Sequence, residues 1–199
     1  MSLFVLDTGI LVGYIRGAGY AEYVERKFQA SQPPNMAVVS IISKAELYSL
    51  AIQFGWGETK KDKLEELLRK LPLADINNEQ IIRRYAEIDA YSQCKDSTRP
   101  NPPEMSARNM GKNDIWIAAT ASVLSATLLT TDHDFDHLHK IFLTVAYIDQ
   151  KLTSDDELIH FGNKTYAFTN QWGGPRTFQA IENIIEQLQA SDISFTPMA

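Results

Sequence analysis

Leu3-Phe-Val-Leu-Asp-Thr-Gly-Ile-Leu11 is a continuous apolar run, a polar turn and the start of a second apolar segment. Four apolar residues without alternation predict a strand buried on both faces. Asp7-Thr8-Gly9 is the turn, and residues 10–15 read as a helix broken by Gly17, Ala18 and Gly19. This strand–turn–helix unit recurs. Residues 36–39 are a second buried run, and Ser40 or Ser43 is placed to cap a helix carrying Glu46, Leu47 and Leu50. Residues 73–76, 127–130 and 141–148 read as further strands. Helical patterns cover residues 20–30, 58–71, 79–94 and 114–124. Asn78 is the expected cap of the third, with Ile81, Ile82, Tyr85, Ile88 and Tyr91 inward, and Asn113 of the last. Pro33-Pro34-Asn35 is a turn, residues 96–104 a loop, and residues 131–136 an acidic loop. The alternation predicts an α/β fold with a central, mainly parallel sheet and helices on both faces.

The 199 residues carry 19 Lys and Arg against 25 Asp and Glu, a net charge of −6, and 44% are hydrophobic. This length suits one domain with an appendage. No apolar run approaches the roughly 20 residues of a membrane helix, and no basic stretch before an apolar run predicts a signal peptide. Cys94 is the single cysteine, so no intramolecular disulfide forms and the reducing cytoplasm is the expected compartment. The acidic balance argues against coating nucleic acid by bulk charge. Residues 1–150 hold 16 basic and 19 acidic side chains, and setting four acids aside leaves +1. The position of those acids therefore matters more than their number.

Ligands of open parallel sheets bind outside the carboxyl ends of the strands. Asp7 and Asp132 each follow a predicted strand, so both belong on that edge. Glu46 lies early in a helix after a buried strand, and Asp114 opens an apolar helix. Each alone has an ordinary structural reading as a turn, cap or first-turn residue. Together they make a carboxylate cluster. Two carboxylates about 4 Å apart at an effective dielectric of about 20 repel by roughly 4 kcal/mol. Protons or a hard divalent cation such as Mg²⁺ or Mn²⁺ relieve that repulsion.

Four stretches carry a resemblance. They are Phe4-Val-Leu-Asp-Thr-Gly-Ile-Leu11, Ser40-Ile-Ile-Ser-Lys-Ala-Glu-Leu47, Gly111-Lys-Asn-Asp-Ile-Trp-Ile-Ala-Ala-Thr-Ala121 and Leu129-Thr-Thr-Asp-His-Asp-Phe135. In that order they resemble the PIN-domain nucleases, particularly the VapC-like toxins, over residues 3–149. The resemblance implies a three-layer α/β/α fold and an endoribonuclease dependent on Mg²⁺ or Mn²⁺. Its acids would match Asp7, Glu46, Asp114 and Asp132, with Asp134 and Asp136 as alternatives for the fourth. Asp7, Asp114 and Asp132 are the expected metal ligands, and Glu46 holds a water or a second ion. Thr8, Ser43, Asn113 and Thr131 are the expected supporting polar groups. The commonest role of small PIN proteins implies a toxin that dimerises and is covered by an antitoxin. Other readings are an RNA-processing nuclease without antitoxin, a silent binding module, or a phosphohydrolase with an aspartyl nucleophile. In the last, Gly9 stands where a second Asp is needed.

Lys112, Arg108, Arg16 and Lys44 are candidate RNA contacts, with Arg99 further upstream. Each such contact would weaken with salt. His133, His137 and His139 lack a thiolate neighbour and a metal-site spacing, and read as partly exposed residues around a helix start. Trp116 reads as core. Beyond the domain of residues 1–150, residues 151–199 read as a ββα extension. Residues 158–161 and 164–169 flank the hairpin turn Gly162-Asn163, and Phe178, Ile181, Ile184, Ile185 and Leu188 mark one helix face. Tyr166, Phe168 and Trp172 are expected to pack there. The extension is marginal as an independent fold, so it is expected to dock on the main domain or on a partner.

Overall fold

In the computed structural model, Leu3–Leu6 forms strand β1 at the centre of a five-stranded sheet. The structure describes residues 1–153 and the backbone of a hairpin, Glu157–Phe161 and Lys164–Phe168. After β1 come α1 (Thr8–Arg16), α2 (Gly19–Phe28), β2 (Met36–Ser40), α3 (Ile41–Gln53), α4 (Glu58–Lys70) and β3 (Leu73–Ala74). Then come α5 (Glu79–Ser92), α6 (Lys112–Val123), β4 (Thr127–Thr130), a 3₁₀ turn (His133–Leu138) and β5 (Thr144–Tyr147). The strand order is β3-β2-β1-β4-β5, and every pair is parallel. Leu6 lies opposite Val39 on one side and Leu129 on the other.

The chain first builds leftward from β1 through β2 to β3, then crosses to lay β4 on β1's other side. The order therefore reverses between β1 and β4. This switch point leaves a crevice at the carboxyl edge, since flanking connections leave in opposite directions. Asp7 and Asp132 stand at that crevice.

The strand period of two divides the core into layers. Phe4 and Leu6 face Ile10, Leu11, Leu47 and Leu64, from α1, α3 and α4. Val5 and Leu128 face the other way, onto Ile88 of α5, Ile115 and Ile117 of α6, and Phe135. The result is a three-layer α/β/α sandwich. Among the described residues no helix is long and apolar enough to cross a membrane.

Several boundaries differ from expectation. Ser40, not Ser43, caps α3 and accepts from the Ile42 N–H at 3.3 Å. Asn78 caps α5, accepting from the Gln80 N–H at 2.8 Å. Asn113 does not cap α6: the helix begins at Lys112, with Gly111 at the cap position and no side-chain bond there. The third and fifth strands shrink to Leu73–Ala74 and Thr144–Tyr147. The acidic loop carries a 3₁₀ turn instead, because Asp132 supplies its cap. Ile82 is exposed rather than inward. The buried stripe of α5 runs Ile81, Ile88, Tyr91, and Ile82 is one residue, about 100°, off it. The two hairpin strands pair antiparallel. The turn between them, Trp172 and the helix marked by Phe178 lie outside the described residues.

Gly13 lets α1 and α2 approach. A Cβ there would stand 2.7 Å from the Tyr20 hydroxyl oxygen, and that hydroxyl donates to the Gly9 carbonyl at 3.1 Å. Ala for Gly gains about 1 kcal/mol in a free helix, but overpacking costs about 1–3 kcal/mol. Gly13→Ala is expected to lower the urea midpoint; a raised midpoint would show that Tyr20 moves freely.

Candidate active site

Asp7 ends β1 and caps α1. Its N–H donates to the Leu129 carbonyl at 3.0 Å, carrying the β1–β4 ladder one residue past the strand. Its Oδ1 accepts from the Thr8 N–H at 2.7 Å, and its Oδ2 accepts from the Thr130 hydroxyl at 2.7 Å. Asp7 is only 6% exposed. Burial raises its carboxyl to about 6, with Glu46 and Asp132 adding to the rise and the two hydrogen bonds opposing it.

The Thr130 hydroxyl does two things. It donates to Asp7, and its oxygen accepts from the Asp132 N–H at 3.0 Å. One buried hydroxyl thus ties the first acid to the loop bearing the fourth. Sequence reading named Thr131 and missed Thr130. The available signal was a polar residue closing the buried run Leu128-Leu129. Thr131 instead accepts from Gln150 Nε2 at 3.2 Å and packs over Gly9, where a Cβ would collide with its hydroxyl.

Glu46 is fixed by two neutral donors. The Thr8 hydroxyl donates to Oε2, and Asn113 Nδ2 donates to Oε1 at 2.8 Å. Asn113 therefore works across helices rather than as a cap. Asp114, in the first turn of α6, is half-buried. Burial raises it to about 7, and the carboxylates of Asp7, Glu46, Asp132 and Asp134 push in the same direction. Asp132 is exposed and caps the 3₁₀ turn, accepting from the Asp134 N–H at 2.8 Å. Four acids from four parts of the chain thus share one electrostatic neighbourhood.

Other candidates stand apart. Asp136 pairs with His133 Nδ1 at 2.8 Å. His137 Nε2 is 2.8 Å from the Ser92 hydroxyl, and His139 Nδ1 accepts from the Val145 N–H at 3.0 Å. The three histidines serve separate partners. Ser43 is buried one helical turn before Glu46, and its hydroxyl has no hydrogen-bond partner among the described residues. Lys112 is exposed and lies 3.2 Å from Asp89. Arg99 pairs with Glu87 and Asp96. Arg16 is in the last turn of α1, about 12 Å along the helix from Thr8. Lys44 lies over the Tyr48 ring at 5.7 Å, on a different face of α3 from Glu46. Arg108 is exposed near His137 and helps hold that imidazole below its ordinary value, after burial. Trp116 is half-buried against Tyr85, ring centroids 4.3 Å apart.

The donor set is all oxygen and mutually repelling, which fits a hard divalent cation. Among the described residues no three His, Cys, Asp or Glu side chains converge tightly enough to hold an ion by themselves.

The PIN domain family model matches residues 4–141, well over half of the chain. The chain belongs to the PIN domain family, a family of nucleases. It is similar in fold to VapBC2 from Rickettsia felis bound to a promoter DNA fragment: TM-score 0.57, 23% identity, 74% of this chain and 99% of that one. It is also similar to VapBC-1 from nontypeable Haemophilus influenzae: TM-score 0.53, 28% identity, 73% and 97%. FitAcB from Neisseria gonorrhoeae gives TM-score 0.52, 23% identity, 71% and 95%. A search of curated proteins gives no match.

Two outcomes follow from this geometry. Thr130→Val keeps the shape but leaves the Asp132 N–H and Asp7 Oδ2 unpaired. It is expected to lower stability by about 1–3 kcal/mol, read by denaturant unfolding. The raised carboxyls of Asp7 and Asp114 bind protons more tightly folded than unfolded. From an ordinary value of 3.8, that stabilisation is full below about pH 4 and is lost as pH rises through 6 and 7. In EDTA, Asp114→Asn is expected to melt higher than the parent at about pH 8, with the gain gone at about pH 4. Equal melting at both pH values would mean that neither burial nor the neighbouring acids raise Asp114.

Proposed function

We propose that this chain is an endoribonuclease dependent on Mg²⁺ or Mn²⁺, acting as the toxin of a type II toxin–antitoxin pair in the cytoplasm. One observation carries the reading. Asp7, Glu46, Asp114 and Asp132 come from separate elements to one crevice, and Asp7 and Asp114 are pushed to about 6 and about 7 there. Burial and mutual repulsion of four acids both cost stability, which supports a functional role for the cluster.

Asp7 and Asp114 would hold the ion, with Asp132 beside them and Asp134 adding charge. A bound divalent ion neutralises a phosphate oxygen and acidifies water. Glu46, held by Thr8 and Asn113, orients the attacking water and accepts its proton. Thr130 keeps Asp7 and the Asp132 loop in register. Lys112 and Arg108, on the α5–α6 side, are the cations nearest in chain position to Asp114. The Lys112–Asp89 pair is exposed and weakly held, so an RNA phosphate can take its place. Arg16 and Lys44 serve the outer path of the RNA at most.

The VapBC names of the similar structures, one at 28% identity, support an antitoxin partner. A homodimer goes with that reading. Residues 151–199 favour a second one, an RNA-processing nuclease without antitoxin. Nearly the whole of each similar chain is accommodated by about three quarters of this one. The extension would then pack on the main domain or a processing partner.

The test is incubation of purified protein with tRNA and mRNA in Mg²⁺ or Mn²⁺, beside Asp7→Asn and Asp114→Asn. Cleavage should need the metal and fall at least 100-fold in either variant. Cleavage in EDTA, or full activity in the variants, would sink the mechanism. Growth arrest on expression, relieved by a co-expressed neighbouring gene, separates toxin from processing enzyme.

A further inference from the structure

His133 and Tyr147 stack ring on ring, with centroids 3.8 Å apart and planes 17° from parallel. They are the first residue of the 3₁₀ turn and the last of β5. β5 runs parallel beside β4, so the stack stands on the carboxyl edge of the sheet, next to Asp132. Burial raises the Tyr147 phenol, and Asp149, Asp136 and Asp132 add to the rise, which places the tyrosine within reach of the fourth acid's field.

Core packing does not account for this pair. The His133 side chain is 49% exposed, while Tyr147 is half-buried beneath it. Asp136 Oδ2 fixes the imidazole through Nδ1 at 2.8 Å. An exposed ring held by a carboxylate hydrogen bond on one atom and an aromatic ring on one face keeps its surface open and its orientation set. We propose that the His133–Tyr147 stack is a nucleobase platform, on which the base next to the scissile phosphate of a single-stranded RNA lies. This rests on the ribonuclease reading of the acidic crevice.

Charge makes the same choice. Asp132, Asp134 and Asp136 surround this side of the crevice, so phosphate contacts are unfavourable there. A base presents an uncharged face, and base–aromatic stacking tolerates any of the four. The α5–α6 side, with Lys112, takes the backbone; the β5 side takes a base. Only an unpaired base can be splayed onto such a ring, so duplex RNA is excluded.

The test uses the full chain carrying Asp114→Asn, so that RNA stays intact, and a single-stranded RNA oligonucleotide containing 2-aminopurine, in Mg²⁺. Binding should quench the 2-aminopurine fluorescence. Adding His133→Ala should abolish the quench and weaken binding about 5- to 150-fold. His133→Phe, which keeps a ring and drops the hydrogen bond to Asp136, should retain both. An unchanged quench in His133→Ala, or absence of quenching in the parent, overturns the platform. So does a phenylalanine variant that behaves like alanine, since the polar nitrogens of the imidazole and not its face would then be the contact. Cleavage by the unmodified chain is measured beside it. Quenching without cleavage keeps the platform and removes the nuclease reading; cleavage without quenching does the reverse.

Discussion

Parallel pairing of β1 with β4 governs the whole carboxyl edge. Leu6 and Leu129 lie in register, and the next N–H, that of Asp7, still donates to the Leu129 carbonyl. Side chains alternate along a strand, so a one-residue slip would turn Val5 and Leu6 to the wrong layers. It would also part the Thr130 hydroxyl from Asp7. Core and crevice are therefore specified by the same register. The apolar layers fix it, and the site inherits a placement finer than any loop would give.

The acids relieve their repulsion in different ways. Burial, with the neighbouring carboxylates, raises Asp7 to about 6 and Asp114 to about 7. Glu46 instead receives hydrogen bonds on both oxygens, from Thr8 and Asn113. Asp132 faces solvent and caps a turn. Like residues thus sit in unlike environments: two are raised by burial, one is held by two donors, and one faces solvent.

Much of this was legible along the chain. Buried runs such as Leu3–Leu6 and Thr127–Thr130 show strands because no alternation is needed under two helical layers. Asp7 and Asp132 follow those runs directly, so their edge placement came from local pattern alone. What escaped was tertiary. Asn113 has the right chemistry for a cap, yet its amide reaches Glu46, 67 residues away. Thr130 serves Asp7 across 123 residues, and no spacing announces that. Asp134 and Asp136 look equivalent in sequence, but a single turn sends Asp136 to His133 while Asp134 faces the cluster. Ile82 missed the core by one position on a helix.

The sequence separation across the β1–β4 ladder has a consequence for biosynthesis. Asp7 and Glu46 are made early, but the strand that positions Asp7 is not complete until Thr130. At about 5–20 residues per second, roughly 6–25 s separate Asp7 from Asp132 in translation. Glu46 and Asp114 are added during that interval, while the strand that sets Asp7 and the loop bearing Asp132 are still missing. The four acids are therefore not assembled on the nascent chain until Asp132 has been made.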